Sequence, residues 1–274
     1  MDDVTLMLQQ HLLKMMSWFH SFCEKNNIRY FALGGTMLGA ARHKGFIPWD
    51  DDIDVGIPRP DYERLRSLIG NREYEGYYLE TPDSTSFEYR YPYCKLYDTR
   101  TTLIEHTWPV LVRGVFIDVF PLDGLGNDEE NAVNNWKSIV KLSNFIWMRT
   151  CAIRKGRSLI KNVAIACAHL LPKIIARDKE ILFKMDKMCL SQNYDSCSVI
   201  GNVFGNWGRK EIMPLLVMGR PVLYDFCGIK IYGAENADAY LTYLYGNWRK
   251  LPPKEKQVSH HDYLEISLFK SYIS

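Results

Sequence analysis

An α/β architecture of the α+β kind, with a sheet core flanked by helices and a mainly helical basic insert, is predicted by three features of the sequence. Short apolar or alternating runs at 28–33, 52–57 and 116–121 have the length and period of strands. A stripe of apolar residues at three- and four-residue spacing over 3–25 marks a packed amphipathic helix. From Trp136 to Leu190 the period becomes helical throughout, rich in Ile, Leu, Met and Ala. With 274 residues, 47% of them hydrophobic and 24% charged, the chain has material for a sizeable core. The expected division is a core over 1–130, a helical basic insert over 131–195, and a C-terminal part over 196–274 that completes the core.

In chain order, the first helix places Val4, Met7, Leu8, His11, Leu12, Met15, Met16, Phe19 and Phe22 on one stripe, with His11 and His20 expected at the surface or in caps. After the strand at 28–33, Gly34-Gly35 makes a turn, and Thr36 is placed to cap a helix over 37–44. The alternation Asp52-Ile53-Asp54-Val55-Gly56-Ile57 reads as a strand with one buried face, so Asp52 and Asp54 share a side. Pro60-Asp61 opens a helix to about residue 69 with Tyr62, Leu65, Leu68 and Ile69 inward. Strands are expected at 76–80, 91–97 and 101–105, with a loop at 81–84. Farther on, 221–226 and 229–232 read as a hairpin through Cys227-Gly228. A helix over 234–245, with Ala237, Tyr240, Leu241 and Leu244 inward, ends at Gly246.

The chemistry concentrates between Gly34 and Gly56. Glycine amides at a helix N-terminus seat a phosphate, and Arg42, His43 and Lys44 close the same segment with cationic or switchable donors. Two carboxylates side by side on a strand repel, so a site that keeps both ionised supplies a cation; an all-oxygen ligand set suits Mg²⁺ or Mn²⁺. The flanking Pro48-Trp49 and Ile53, Val55 and Ile57 argue against a merely solvated acidic loop. Val55 stands where an EF-hand needs glycine, and no Gly-Lys-Ser/Thr follows the glycines as a Walker loop requires. A third acid, Asp118, sits inside the apolar run Val115-Phe116-Ile117-Asp118-Val119-Phe120, where an unpartnered carboxylate is costly. It is read as the third metal ligand, whereas Asp123-Gly124 suits a turn. Lys95, within the aromatic run 91–97, is either a snorkelling edge lysine or a phosphate contact.

A Gly-Gly-Thr turn, an Asp-x-Asp strand and one more Asp on a neighbouring strand resemble the pattern of the nucleotidyltransferase superfamily. The longer string Arg42-His43-Lys44-Gly45-Phe46-Ile47-Pro48-Trp49-Asp50-Asp51-Asp52-Ile53-Asp54 closely resembles the LicD family of phosphotransferases, to which fukutin-type proteins are related. Tyr93-Cys94-Lys95-Leu96-Tyr97-Asp98, Phe116 to Asp123, Tyr245-Gly246-Asn247-Trp248, Leu251-Pro252-Pro253 and His260-His261 extend the match. It covers most of the chain and is strongest in the first half and at the C-terminal end. The resemblance implies a nucleotidyltransferase-like mixed sheet and the transfer of a phosphoalcohol, phosphocholine first, from a CDP-conjugated donor to a hydroxyl of a cell-surface glycan, releasing CMP. The glycan would be of the teichoic acid or lipopolysaccharide kind and can be lipid-linked. Asp52, Asp54 and Asp118 would be the metal-binding and catalytic residues. Gly34, Gly35, Thr36, Arg42, His43, Lys95, Trp49, His260 and His261 would contact substrate. Choline calls for an aromatic cage, for which Trp49 and Trp108 are candidates by position. Three competing readings are transfer of a polyol phosphate from CDP-ribitol or CDP-glycerol, attachment of NMP from an NTP with release of pyrophosphate, and a non-catalytic membrane-surface or scaffold protein.

A net charge of +2 gives no reason to expect nucleic acid. Between 137 and 187, however, Lys and Arg outnumber Asp and Glu twelve to three, a local balance of +9 that leaves −7 for the rest. This stretch is read either as a helical subdomain with a solvated basic face or as a peripheral membrane contact. Its most apolar part, 159–176, is too short and too interrupted by Lys161, His169 and Lys173 to span a bilayer. Seven scattered cysteines without metal spacing fit a reducing compartment, and the acidic start gives no signal-peptide pattern. The expected location is the cytoplasm, at the inner face of the membrane if the insert binds it.

Overall fold

The computed structural model describes residues 3–171, 177–259, 261 and 263–273. Its centre is a mixed sheet in the order β1 (Phe31–Ala32), β2 (Asp54–Pro58), β8 (Phe116–Gly124), β5 (Cys94–Asp98), β4 (Tyr77–Glu80), β3 (Glu73–Tyr74). The far end of β8 also pairs with β9 (Val199–Gly201), which pairs with β10 (Ile212–Pro214). Among the described strand pairs of this sheet the central one, β2 with β8, is the parallel one; it sets Asp54 opposite Asp118. On the other side β8 runs antiparallel to β5, setting Asp118 opposite Lys95. Directly opposed residues share a face, so Asp54, Asp118 and Lys95 form one row across three adjacent strands. A second sheet joins β13 (Tyr263–Ser267), β6 (Thr102–Glu105) and β7 (Leu111–Arg113), and β11 (Val222–Phe226) and β12 (Ile229–Gly233) make the expected hairpin.

Helices α1 (Asp3–Lys25), α2 (Gly34–His43) and α3 (Arg59–Ile69) pack on the central sheet, and α8 (Ala237–Tyr245), preceded by the short α7 (Leu215–Met218), packs on α2. Their buried faces form one core with Ile53, Val55, Leu96, Ile117 and Val119. The insert carries α4 (Glu129–Thr150), α5 (Leu159–Leu170) and α6 (Asp178–Cys189). A second, smaller apolar cluster lies under α4 and α6, built from Ile139, Ile146, Leu182 and Met185 against Leu125, Val199 and Ile212.

Several expectations are corrected. The stripe on α1 enters the core only from Leu8, while Val4 and Met7 are exposed, and Leu68 of α3 is likewise exposed. Neither His11 nor His20 is a cap: His11 meets Asp98 at 3.0 Å and His20 meets Tyr30 Oη at 2.8 Å. Asp123 is not a turn residue; it is fully buried in β8 and bound by Arg59, with Nε to Oδ1 at 2.6 Å and Nη2 to Oδ2 at 3.1 Å. The seven cysteines are all free thiols. Among the described residues no helix is long and apolar enough to cross a membrane.

Candidate functional site

At the end of the central sheet lies a cavity of about 400 Å³ whose floor is acidic: Asp52, Asp54, Asp118 and Glu211 all line it. Helix α2 starts at Gly34, two residues before Thr36, so Thr36 does not cap it. Its Oγ1 accepts the Asp54 backbone N–H instead (2.9 Å), fixing the start of β2 against α2. Gly34 has φ +47 and donates its N–H to Tyr240 Oη (3.0 Å). At Gly35 a Cβ would lie 2.6 Å from Asp50 Oδ2, so the carboxylate cluster leaves room for no side chain there. Both glycines line the cavity.

Burial and mutual repulsion dominate the electrostatics. Burial, then Asp52 and Asp51, push Asp50 up to about 8. Asp54 is driven well above the carboxylate range by burial, then by Asp52 and Asp118. Asp118 is pushed up to about 6 by burial even with the Lys95 ammonium opposing it. Burial likewise lifts Glu211 to about 7, against hydrogen bonds from the Trp207 amide and Asn202 that favour its charged form. Asp51 behaves oppositely: burial would raise it, but hydrogen bonds from His261 and Ser259 hold it low.

Lys95 is buried on a central strand, which rules out the snorkelling edge lysine. Its Nζ donates to Glu105 Oε1 (3.0 Å), lies 3.3 Å from Asp118 Oδ1, and sits 3.5 Å from the Phe116 ring centroid. From the C-terminal segment, His261 Nδ1 donates to Asp51 Oδ1 (2.8 Å), and Nε2 lies 3.6 Å from Asp52 Oδ2. Burial opposes its charge, but the Asp51 bond and Asp52 push it up to about 9. Ser259 Oγ donates to the other Asp51 oxygen (2.6 Å).

Against this geometry, the sequence profile described as "LicD/FKTN/FKRP, nucleotidyltransferase domain" matches residues 27–150. The chain is 30% identical over 273 residues to the lipopolysaccharide cholinephosphotransferase LicD of Haemophilus influenzae, covering 95% of this chain and 97% of that one. It belongs to the LicD family, and is a transferase of that type. A shorter stretch of 47 residues is 47% identical to the human ribitol 5-phosphate transferase FKRP, 17% of this chain and 10% of that protein.

Of the LicD-type residues read from the sequence, Gly34, Gly35, Asp52, Asp54, Lys95, Asp118 and His261 come together around the cavity. Thr36 acts from behind it. Arg42 and His43 do not line it: Arg42 donates to His43 Nε2 (2.9 Å) and to Trp248 O (2.8 Å), tying the end of α2 to the Tyr-Gly-Asn-Trp segment. Trp49 packs half-buried on the main core, and Trp108 is exposed beside His169; neither lines the cavity. Its tryptophans are Trp147 and Trp207. His260 lies outside the described residues.

Sequence reasoning passed over four contributors. Glu211 reaches the floor from a short turn after residue 208. Buried Gln9 of α1 donates to the Ile47 and Asp50 carbonyls (3.2 and 2.7 Å), holding the acidic loop from below. Arg154 and Arg157, counted only as part of a basic stretch, form the insert's side of the cavity.

Proposed function

We propose that this LicD-family protein moves phosphocholine from CDP-choline to a sugar hydroxyl of a cell-surface glycan, releasing CMP. The observation that carries the choice of alcohol is the cavity wall. Tyr91, Tyr93, Phe120, Trp147, Phe204 and Trp207 surround the acidic floor, and a quaternary ammonium, which accepts no hydrogen bond, is drawn to such π faces.

The donor set suits Mg²⁺ or Mn²⁺: it is all carboxylate, and it is crowded enough to raise its own pKa values. The ligand atoms of Asp50, Asp51 and Asp52 lie within 4.8 Å of one another. Asp50 and Asp51 are nevertheless the poorer ligands, because Asp51 is committed to His261 and Ser259 and neither lines the cavity. Asp52, Asp54 and Asp118 would hold the ion, which when bound would neutralise charge on the donor's diphosphate. Lys95 keeps Asp118 aimed at the cavity. Arg154 and Arg157 face the phosphates from the insert wall. Glu211, whose raised pKa suits proton uptake near neutrality, takes the proton of the acceptor hydroxyl as its oxygen bonds to the phosphorus bearing choline and the bond to CMP breaks. The same site would serve from the cytoplasmic side on a lipid-linked acceptor.

The test is melting with Mg²⁺ and each candidate donor, since a ligand that prefers the folded state stabilises it. CDP-choline should raise the melting temperature more than CDP-ribitol, CDP-glycerol or CTP, and CMP should appear when a glycan acceptor is added. A larger shift with a CDP-polyol would overturn the choline assignment, and pyrophosphate release from CTP would overturn phosphoalcohol transfer.

A further inference from the structure

Helix α5 is built inside out. Its buried positions are Ile165 and Ala168, while the residues facing outward are Leu159, Ile160, Val163, Ala164, Cys167 and Leu170. At 100° per residue these six fall within about 140° of arc, and Leu159, Ile160 and Leu170 are 77%, 81% and 81% exposed. A helix on a solvated surface carries polar residues on that side, so the expected solvated basic face is not what α5 presents. The helix contains no acidic residue. Exposed Lys155 precedes it and exposed Lys161 flanks the apolar arc. Residues 151–157, which lead into α5, supply Cys151, Ala152, Arg154 and Arg157 to the wall of the cavity. The apolar face and the mouth of the site are therefore neighbours in the chain.

We propose that the outward face of α5 lies in the surface of an anionic lipid bilayer and holds the cavity mouth against it. An apolar face bordered by lysines, with no acids, matches the boundary between acyl chains and negative headgroups; a second copy of the same basic surface would repel it. The proposal goes beyond the assignment of the reaction and is tested without turnover, by co-sedimentation of the full chain with phosphatidylcholine vesicles with and without phosphatidylglycerol. The wild type should pellet with the phosphatidylglycerol vesicles, less so at high salt. The double variant Ile160→Glu, Leu170→Glu should bind about tenfold or more weaker, and Lys155→Glu, Lys161→Glu should lose the dependence on phosphatidylglycerol. Both variants change exposed side chains outside the cavity, so cleavage of donor with a water-soluble acceptor should stay at the wild-type level while transfer to a vesicle-borne acceptor drops. Wild-type protein that stays in the supernatant, or an Ile160→Glu, Leu170→Glu variant that binds as well as wild type, would overturn the proposal. So would a wild-type dimer in sedimentation that this variant dissolves, which would make the face a contact between copies.

Discussion

The floor of the cavity and its insert wall are both dense in charge, but the two hold it differently. On the floor, Asp54 and Asp118 sit in register on neighbouring strands, and burial has pushed both above the ordinary carboxylate range. On the wall, Arg157 meets neutral acceptors, Ala152 O at 2.8 Å and Cys151 Sγ at 3.5 Å, and lies 5.6 Å from the Trp147 ring. A surface arginine beside neutral acceptors costs little, because water screens it. Carboxylates gathered on a rigid sheet end cannot relax apart, so the floor stores repulsion that proton uptake or a bound cation would relieve. The strongest test of this contrast is Asp54→Asn. It should lower turnover about a thousandfold, equal to roughly 4 kcal/mol of lost charge stabilisation, and at the same time raise the melting temperature in EDTA. If it lowered that temperature, the floor would not be strained.

Lys95 is the exception that keeps the floor folded. With its ammonium between Glu105 and Asp118, Lys95→Met leaves two buried acids uncompensated and should cost about 3 to 5 kcal/mol by denaturant titration. A loss below 1 kcal/mol would show that the two acids share a proton instead. The next effect is a pH slope. In the unfolded chain Glu211 titrates near its ordinary 4.5, while burial holds it near 7 when folded. The folded protein thus keeps a proton that the unfolded chain gives up, so stability without metal should fall as pH rises from about 4.5 to 7, by roughly 3 kcal/mol. Glu211→Gln should flatten that slope; an unchanged slope would assign it to other groups.

The same contrast explains what could be read from the sequence. Asp52, Asp54 and Asp118 were legible because their signal is local: an alternation in one strand, and an acid inside an apolar run in another. That their strands are neighbours came from the family pattern; the parallel sense and register of the β2–β8 pairing did not, since nothing near either segment states them. Three-residue strands such as β9 and β10 are too short to show a period. Glu211, Gln9 and Trp147 escaped for the same reason, each being ordinary in its own segment and brought to the site only by the fold. Arg42 and His43 went the other way: their place in a strong motif suggested substrate contact, while in the structure Arg42 ties the end of α2 to the Trp248 carbonyl.

Asp98 makes the contrasting case, because it lies on β5 with Lys95 and its side chain is buried, yet it takes more direct bonds from cationic side chains than Asp118, which has Lys95. His11 Nε2 reaches its Oδ2 at 3.0 Å, and Arg100 donates to it from Nε (2.7 Å), Nη2 (2.9 Å) and the backbone N–H (2.9 Å). Burial would raise its pKa, but the bonds from His11 and Arg100 outweigh that and hold it well below the carboxylate range. The sign is then opposite to that of Glu211: stability from Asp98 is present above the unfolded pKa, near 4, and is lost as pH falls below it. Asp98→Asn should cost about 2 kcal/mol at neutral pH, the scale of charged hydrogen bonds, and nearly nothing at the acid end, so the two unfolding curves should converge below pH 4. If they stay parallel, the loss comes from packing and not from charge. Convergence would show that the bonds from His11 and Arg100 outweigh burial at Asp98, as the single Lys95 contact does not at Asp118.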